Sequence, residues 1–237
     1  MFWRYCSRIL ASVVLASGLA SAAILNGGFE SGDLADWSAT GDVSASTGYG
    51  YVEIAFVSPD TGLYAARLIS QGTSSDTIAT QMSIDTATLA ASNGGITPTD
   101  GALLWQSTFA NAGDVLQFRW NFVGLDAGAP VDDWSFFGVQ FESNPTVLTR
   151  LASIEDVRAA ESDISGWTTQ TISITQTGNY TLYFGVVNAT DNIAPSDLWI
   201  DGVENGSEVP EPATLALLAP VLAAILLRSR GKNRKNV

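Results

Sequence analysis

Carboxylates are the most abundant chemically active side chains here, and imidazoles are missing: the 237 residues include 24 Asp and Glu, 11 Lys and Arg, and no His. Two carboxylates held about 5–9 Å apart can hydrolyse a glycoside. Carboxylates joined by backbone carbonyls can hold calcium. Without His, no Ser-His-Asp triad, Cys-His dyad or His-ligated zinc can be built from this chain. No nucleophile elbow, P-loop or metal-hydrolase motif occurs in it. With so many acids, some pair meets the hydrolytic spacing by chance, so hydrolysis ranks last among the functions considered.

Aromatic rings are the second resource. Trp37, Trp105, Trp134, Trp167 and Trp199 are not all assigned to a core by strand alternation. Trp199 falls opposite Leu198 and Ile200, which predicts an exposed ring. Exposed rings stack on sugar faces, and nearby Asp132, Asp133 or Asn192 can exchange hydrogen bonds with hydroxyls. Trp134, Trp199, Asp132 and Asp133 are therefore the candidate glycan contacts. The competing reading is burial, which is the commoner fate of any one Trp in a β protein and the one predicted for Trp120.

The charge, −13 overall, is unevenly placed. Arg4 and Arg8 precede the first apolar run, and Arg228, Arg230, Lys232, Arg234 and Lys235 follow the last. Between them lie all 24 acids and only four bases, Arg67, Arg119, Arg150 and Arg158. Such a surface repels phosphate and excludes nucleic acid as a partner, while it attracts cations. Much of it needs no role beyond a solvated acidic shell.

The two ends read as addresses. Residues 1–23 have the form of a signal peptide: Arg4 and Arg8, the apolar Ile9 to Leu19, then Ala20-Ser21-Ala22 for signal peptidase, with cleavage after Ala22 or Ala23. The only cysteine, Cys6, would leave with it, so no disulfide would staple the exported domain. Residues 207–237 carry Val209-Pro210-Glu211-Pro212, an apolar run from Ala213 to Leu227 interrupted by Pro220, and the basic tail. Fifteen residues of helix reach roughly 22 Å, short of a bilayer core of about 30 Å. The tail's charge favours the cytoplasmic side. The triplet Pro210-Glu211-Pro212, the short transmembrane helix and the Arg-rich end resemble the PEP-CTERM sorting signal of exported Gram-negative proteins. That resemblance implies an exosortase as partner, an inner-membrane-anchored precursor in transit, and delivery to the cell surface or extracellular matrix.

Residues 24–206 form the body. Leu116, Phe118, Trp120 and Phe122 alternate with Gln117, Arg119 and Asn121, as in a half-buried strand. Phe137, Val139 and Phe141 alternate likewise, as do Tyr180, Leu182, Phe184 and Val186. Ile172 and Ile174, with the turn Thr177-Gly178-Asn179, predict a hairpin with the Tyr180 run. Further strands are predicted over 51–57, 65–69 and 103–109, with inward Leu198 and Ile200 on the last one. Leu151, Ile154 and Val157 at three-residue spacing predict a short helix over 151–162. Many short strands between turns predict an all-β antiparallel β-sandwich.

Asn26-Gly27-Gly28-Phe29-Glu30, with Gly32 and Asp36-Trp37, resembles the opening of galactose-binding-like jelly rolls, a group rich in carbohydrate-binding modules. Leu198-Trp199-Ile200-Asp201-Gly202-Val203 is similar to their closing strand, though many relatives carry two acids where this chain has Asp201-Gly202. The resemblance implies first and last segments side by side and a structural Ca²⁺ near them, with Glu30 and Asp201 as the metal carboxylates. Taken together, the expectation is an exported surface or matrix protein, structural or adhesive rather than enzymatic. An exopolysaccharide-binding module is the alternative, and a glycan hydrolase the third.

Overall fold

The computed structural model describes residues 22–51, 56–125, 132–191 and 193–206. The sorting triplet Pro210-Glu211-Pro212, the apolar run after it, residues 1–21 and Asn192 lie outside the described residues. No helix among the described residues is long and apolar enough to cross a membrane.

Strands run Ser38–Thr40 (β1), Asp42–Ser46 (β2), Tyr49–Gly50 (β3), Phe56–Val57 (β4), Ala65–Ile69 (β5) and Thr73–Ser74 (β6). They continue with Pro98–Ala110 (β7), Val115–Val123 (β8), Trp134–Phe141 (β9), Val147–Ser153 (β10), Thr168–Ser173 (β11), Gly178–Ala189 (β12) and Asp197–Gly206 (β13). Three short helices, Ser75–Gln81 (α1), Thr86–Ala91 (α2) and Ile154–Ala159 (α3), interrupt them. One sheet has the order β1-β7-β12-β9-β10, with β6 also on β7; the other has the order β11-β8-β13-β5-β2. Every pairing in both sheets is antiparallel. The domain is thus the antiparallel β-sandwich that the alternation predicts.

The inner faces meet through the predicted side chains. Leu116, Phe118, Trp120 and Phe122 of β8 and Tyr180, Leu182, Phe184 and Val186 of β12 share one core with Leu198 and Ile200. Phe118 packs edge-on against both Phe137 and Phe184, with ring centroids 5.3 and 4.8 Å apart. Each such side chain contributes about 1.5–3 kcal/mol when fully removed from water.

Burial extends beyond the space between the sheets. Helices α1 and α2 lay Ile78, Met82 and Leu89 on the outer face of the first sheet, over Leu103, Trp134, Phe136 and Tyr183. Side chains cap both helices: Ser74 Oγ accepts from Thr77 N and Asp85 Oδ1 from Thr88 N. On the second sheet, Tyr51 and Val57 cover Ala65, Val123 and Trp199. Gly185 is required because the Phe136 ring lies across it, where a Cβ would stand 2.2 Å from Cζ.

Three expectations are corrected. The Ile172 and Tyr180 runs are not a hairpin: β11 pairs with β8, whereas β12 pairs with β7 and β9 in the opposite sheet. Amphipathic strands of a sandwich all present one apolar face, so alternation does not say which sheet a strand joins. The predicted helix over 151–162 shrinks to α3, because Leu151 still belongs to β10 and Ser153 with Asp156 forms a capping box. Of the strand predicted over 51–57, Phe56–Val57 is a strand and Tyr51 is not.

Candidate functional site

The opening segment and the last strand do lie side by side: Val203 N donates to Gly27 O at 2.9 Å. Glu30 and Asp201 flank Gly28, whose missing Cβ would stand 3.7 Å from Glu30 Cγ and 3.9 Å from Asp201 Oδ1. Both carboxylates grip the same loop. Glu30 accepts from the amides of Leu63 and Tyr64 at 3.0 and 3.1 Å. Asp201 Oδ2 accepts from Thr61 N at 2.8 Å, and Oδ1 from Gly202 N at 2.6 Å. Asp201 is fully buried, and that burial pushes its carboxyl above the usual range. The Thr61 and Gly202 amides oppose the rise, and the charge of Asp60 adds to it. Asp60 is itself paired with Arg119 at 2.8 Å. Among the described residues no three acids, cysteines or histidines gather closely enough to cage an ion alone. The donor set still fits calcium in kind, since it is all oxygen and includes a buried carboxylate that a cation would stabilise; carbonyls would have to complete the shell.

The predicted glycan contacts fare differently. Trp134 and Trp199 are both fully buried, so neither ring is available to a sugar. Trp134 lies beneath the α1–α2 pair, its Nε1 donating to Ser92 Oγ at 3.2 Å. Trp199 lies beneath the segment bearing Tyr51, with Nε1 donating to Tyr51 Oη at 2.9 Å. Tyr51 Oη in turn donates to Asp197 Oδ2, which Arg67 Nε also reaches at 2.6 Å. Strand alternation places Trp199 on the outer face as expected; the covering segment is what hides it. Asp133 is also interior, accepting from Ala189 N at 2.9 Å and Ser196 Oγ at 2.8 Å. Of the remaining tryptophans, Trp37 is buried, Trp105 is half-buried, and Trp167 is tied through Nε1 to Ser58 O at 3.1 Å.

Asp132 lines a cavity. Two adjoining clefts open at the edge of the sandwich where β10 runs into α3. The larger, about 530 Å³, is walled by Trp120, Arg150, Asp156, Ile164, Ser165 and Thr168 among others. The smaller, about 360 Å³, is walled by Asn93, Gly94, Ile96, Asp132, Arg150 and Glu155, together with Ser92. Arg150 belongs to both walls. A bulge in β10 between Arg150 and Ala152 shifts the register of its pairing with β9 by one residue there. The guanidinium is held from three sides: Nη1 donates to Asn93 Oδ1 at 2.7 Å and Ser153 Oγ at 3.1 Å, and Nη2 to Asp156 at 3.2 Å. Asp132 accepts from Glu155 N at 2.8 Å and Asn93 Nδ2 at 3.0 Å.

Trp120 is the feature that the sequence hides. Alternation assigns it correctly to the core, yet the residue also lines the larger cleft. Its indole N–H finds no acceptor among the described residues, although the residue is only 8% exposed. A buried donor without a partner costs about 1–3 kcal/mol. Combined with the oriented guanidinium, the carboxylate of Asp156 and the hydroxyls of Ser165 and Thr168, the cleft offers an aromatic wall and convergent hydrogen-bonding groups.

No family model and no curated protein matches this chain. Among solved structures it is similar to the carbohydrate-binding module TmCBM61 in complex with β-1,4-galactotriose, at 16% identity and a TM-score of 0.45, covering 78% of this chain and 97% of that one. It is also similar to the K1 cleaved adhesin domain of Lys-gingipain from Porphyromonas gingivalis W83 (12% identity, TM-score 0.40, covering 80% of this chain and 99% of that one). A third similar structure is the CBM22-1 xylan-binding domain from Paenibacillus barcinonensis Xyn10C (16% identity, TM-score 0.35, covering 78% of this chain and 91% of that one). Likenesses this distant leave the site to be judged on its own residues.

Proposed function

We propose that this protein is an exported glycan-binding module whose binding site is the cleft between α3, β10 and the β8–β11 edge. The observation that carries the reading is Trp120 in the wall of that cleft, a residue whose indole N–H has no partner among the described residues. A sugar hydroxyl supplies the missing acceptor, and the fixed Arg150 and Asp156 supply a donor and an acceptor beside it. Binding is favoured over hydrolysis because the acids of the site are already engaged: Asp156 by Arg150 and its own helix cap, Asp132 by two N–H donors. Delivery by the signal peptide and retention through Pro210-Glu211-Pro212 by an exosortase would set this module at the cell surface or in the matrix, where exopolysaccharide is the partner. The support for that delivery is the sequence of the two ends. We further propose that Ca²⁺ ties the opening segment to the last strand through Glu30 and Asp201, in a structural role.

Affinity gel electrophoresis of the full chain in neutral polysaccharides and in the host's own exopolysaccharide tests the reading. Retardation in at least one glycan, weakened in Trp120→Phe and Arg150→Ala, is expected, with no reducing ends released on incubation. Unchanged mobility in every glycan overturns the binding function, and release of reducing ends by a preparation that Asp156→Asn inactivates replaces it with hydrolysis.

A further inference from the structure

The two clefts at Arg150 differ in the charges of their walls. In the larger cleft Arg150 and Asp156 neutralise each other across 3.2 Å. The smaller has two carboxylates in its wall, Asp132 and Glu155, against the one guanidinium already engaged by Asp156. The Glu155 carboxylate is exposed and has no partner among the described residues. Asp132 is more than nine-tenths buried and fixed in place, yet among the described residues each of its oxygens takes only one N–H and keeps a lone pair free. The larger cleft beside it is walled by Trp120, whose indole donor has no partner among the described residues, so one ligand crossing Arg150 would meet a neutral subsite and then an anionic one. The wider surface points the same way, since only four bases accompany the acids of residues 24–206. Uronate-rich or sulfated polymers are repelled by such a field.

We propose that the groove selects a glycan with free amino groups: a neutral sugar ring sits against Trp120, and a protonated amine on the next hexosamine is held between Asp132 and Glu155. This rests on the glycan-binding reading above. An ammonium donates up to three hydrogen bonds, which suits the free lone pairs of this pair. An N-acetyl group in the same place would bring a bulkier, uncharged amide and leave the two carboxylates uncompensated.

The test is titration calorimetry of the full chain with oligomers of glucosamine and of galactosamine, each against its fully N-acetylated counterpart. The free-amine oligomers are expected to bind about tenfold more tightly or better at low salt, an advantage that shrinks as salt rises. Glu155→Gln should remove the preference by weakening the free-amine oligomers about tenfold, while Trp120→Phe should weaken both series together. Equal or tighter binding of the N-acetylated or of amine-free neutral oligomers overturns the amine preference and leaves the glycan-binding function standing. Failure to bind any glycan overturns both. Glu155 is exposed on the first turn of α3, so its replacement tests recognition and not folding.

Discussion

If calcium joins Glu30 and Asp201, its removal should be visible in the stability of the whole domain. The perturbation is a chelator. The loop at residues 61–64 is fastened by those two carboxylates, and Gly28 and the β13 strand meet beside them. Releasing that junction loosens the opening segment against the closing strand, which the backbone bond from Val203 N to Gly27 O still joins. For free calcium at about one hundred times its dissociation constant, linkage gives about 2.7 kcal/mol. In a domain of about 180 residues each kcal/mol moves the midpoint by about 2–4 °C, so the expected shift is about 5–11 °C. Differential scanning calorimetry of the full chain at neutral pH, in millimolar calcium and in excess EDTA, reads it directly. Glu30→Gln and Asp201→Asn should each reduce the shift, and magnesium should substitute poorly because it keeps its water shell. Identical midpoints in calcium and chelator would refute the reasoning, and the two carboxylates would then stand as amide-binding clamps alone.

Four further outcomes follow from individual contacts. Burial holds the Asp201 carboxyl above its unfolded value of 3.8, so in chelator its contribution is greatest below that value and is lost as pH rises through the raised one; melting midpoints in EDTA should climb on mild acidification, whereas calcium, which needs the ionised carboxylate, should reverse the slope. Trp120→Phe should weaken glycan binding several-fold, for one lost hydrogen bond of about 0.5–1.5 kcal/mol, and should also lower the melting midpoint, because the ring volume it removes belongs to the core; titration and calorimetry together check this. Tyr51→Phe leaves Trp199 Nε1 without its acceptor and strips one donor from buried Asp197, so urea unfolding should show a loss of about 2–4 kcal/mol. Gly185→Ala drives a methyl into the Phe136 ring and should cost about 1–3 kcal/mol by the same measurement.

How much of this was legible beforehand depended on which physical signal each feature leaves in the sequence. The inner face of β8 was readable residue by residue, because period-two alternation is the direct imprint of a strand with one apolar side. That the opening segment and the last strand lie side by side was implied by the resemblance of two motifs at the ends of the domain, whereas the loop at 61–64 that Glu30 and Asp201 both hold left no signal in the sequence. The exposure of Trp134 and Trp199 was misjudged for one reason. Alternation reports which face of a sheet a side chain occupies; it is silent on whether another layer covers that face. Here α1 and α2 cover one sheet and the Tyr51 segment the other, and short helices such as Ser-Asp-Thr-Ile-Ala-Thr-Gln carry little periodicity to announce them. The cleft was invisible for the complementary reason. Trp120 satisfies the core pattern, Arg150 reads as one of four scattered bases, and only the bulge in β10 and the capping box of α3 bring them to a common wall. Interior strands therefore declare themselves one at a time, while a site at the rim of a sandwich exists only once the two sheets are stacked. Trp120 joins the two cases: the same ring that fastens the core also lines the cleft, and its one polar atom has no partner among the described residues.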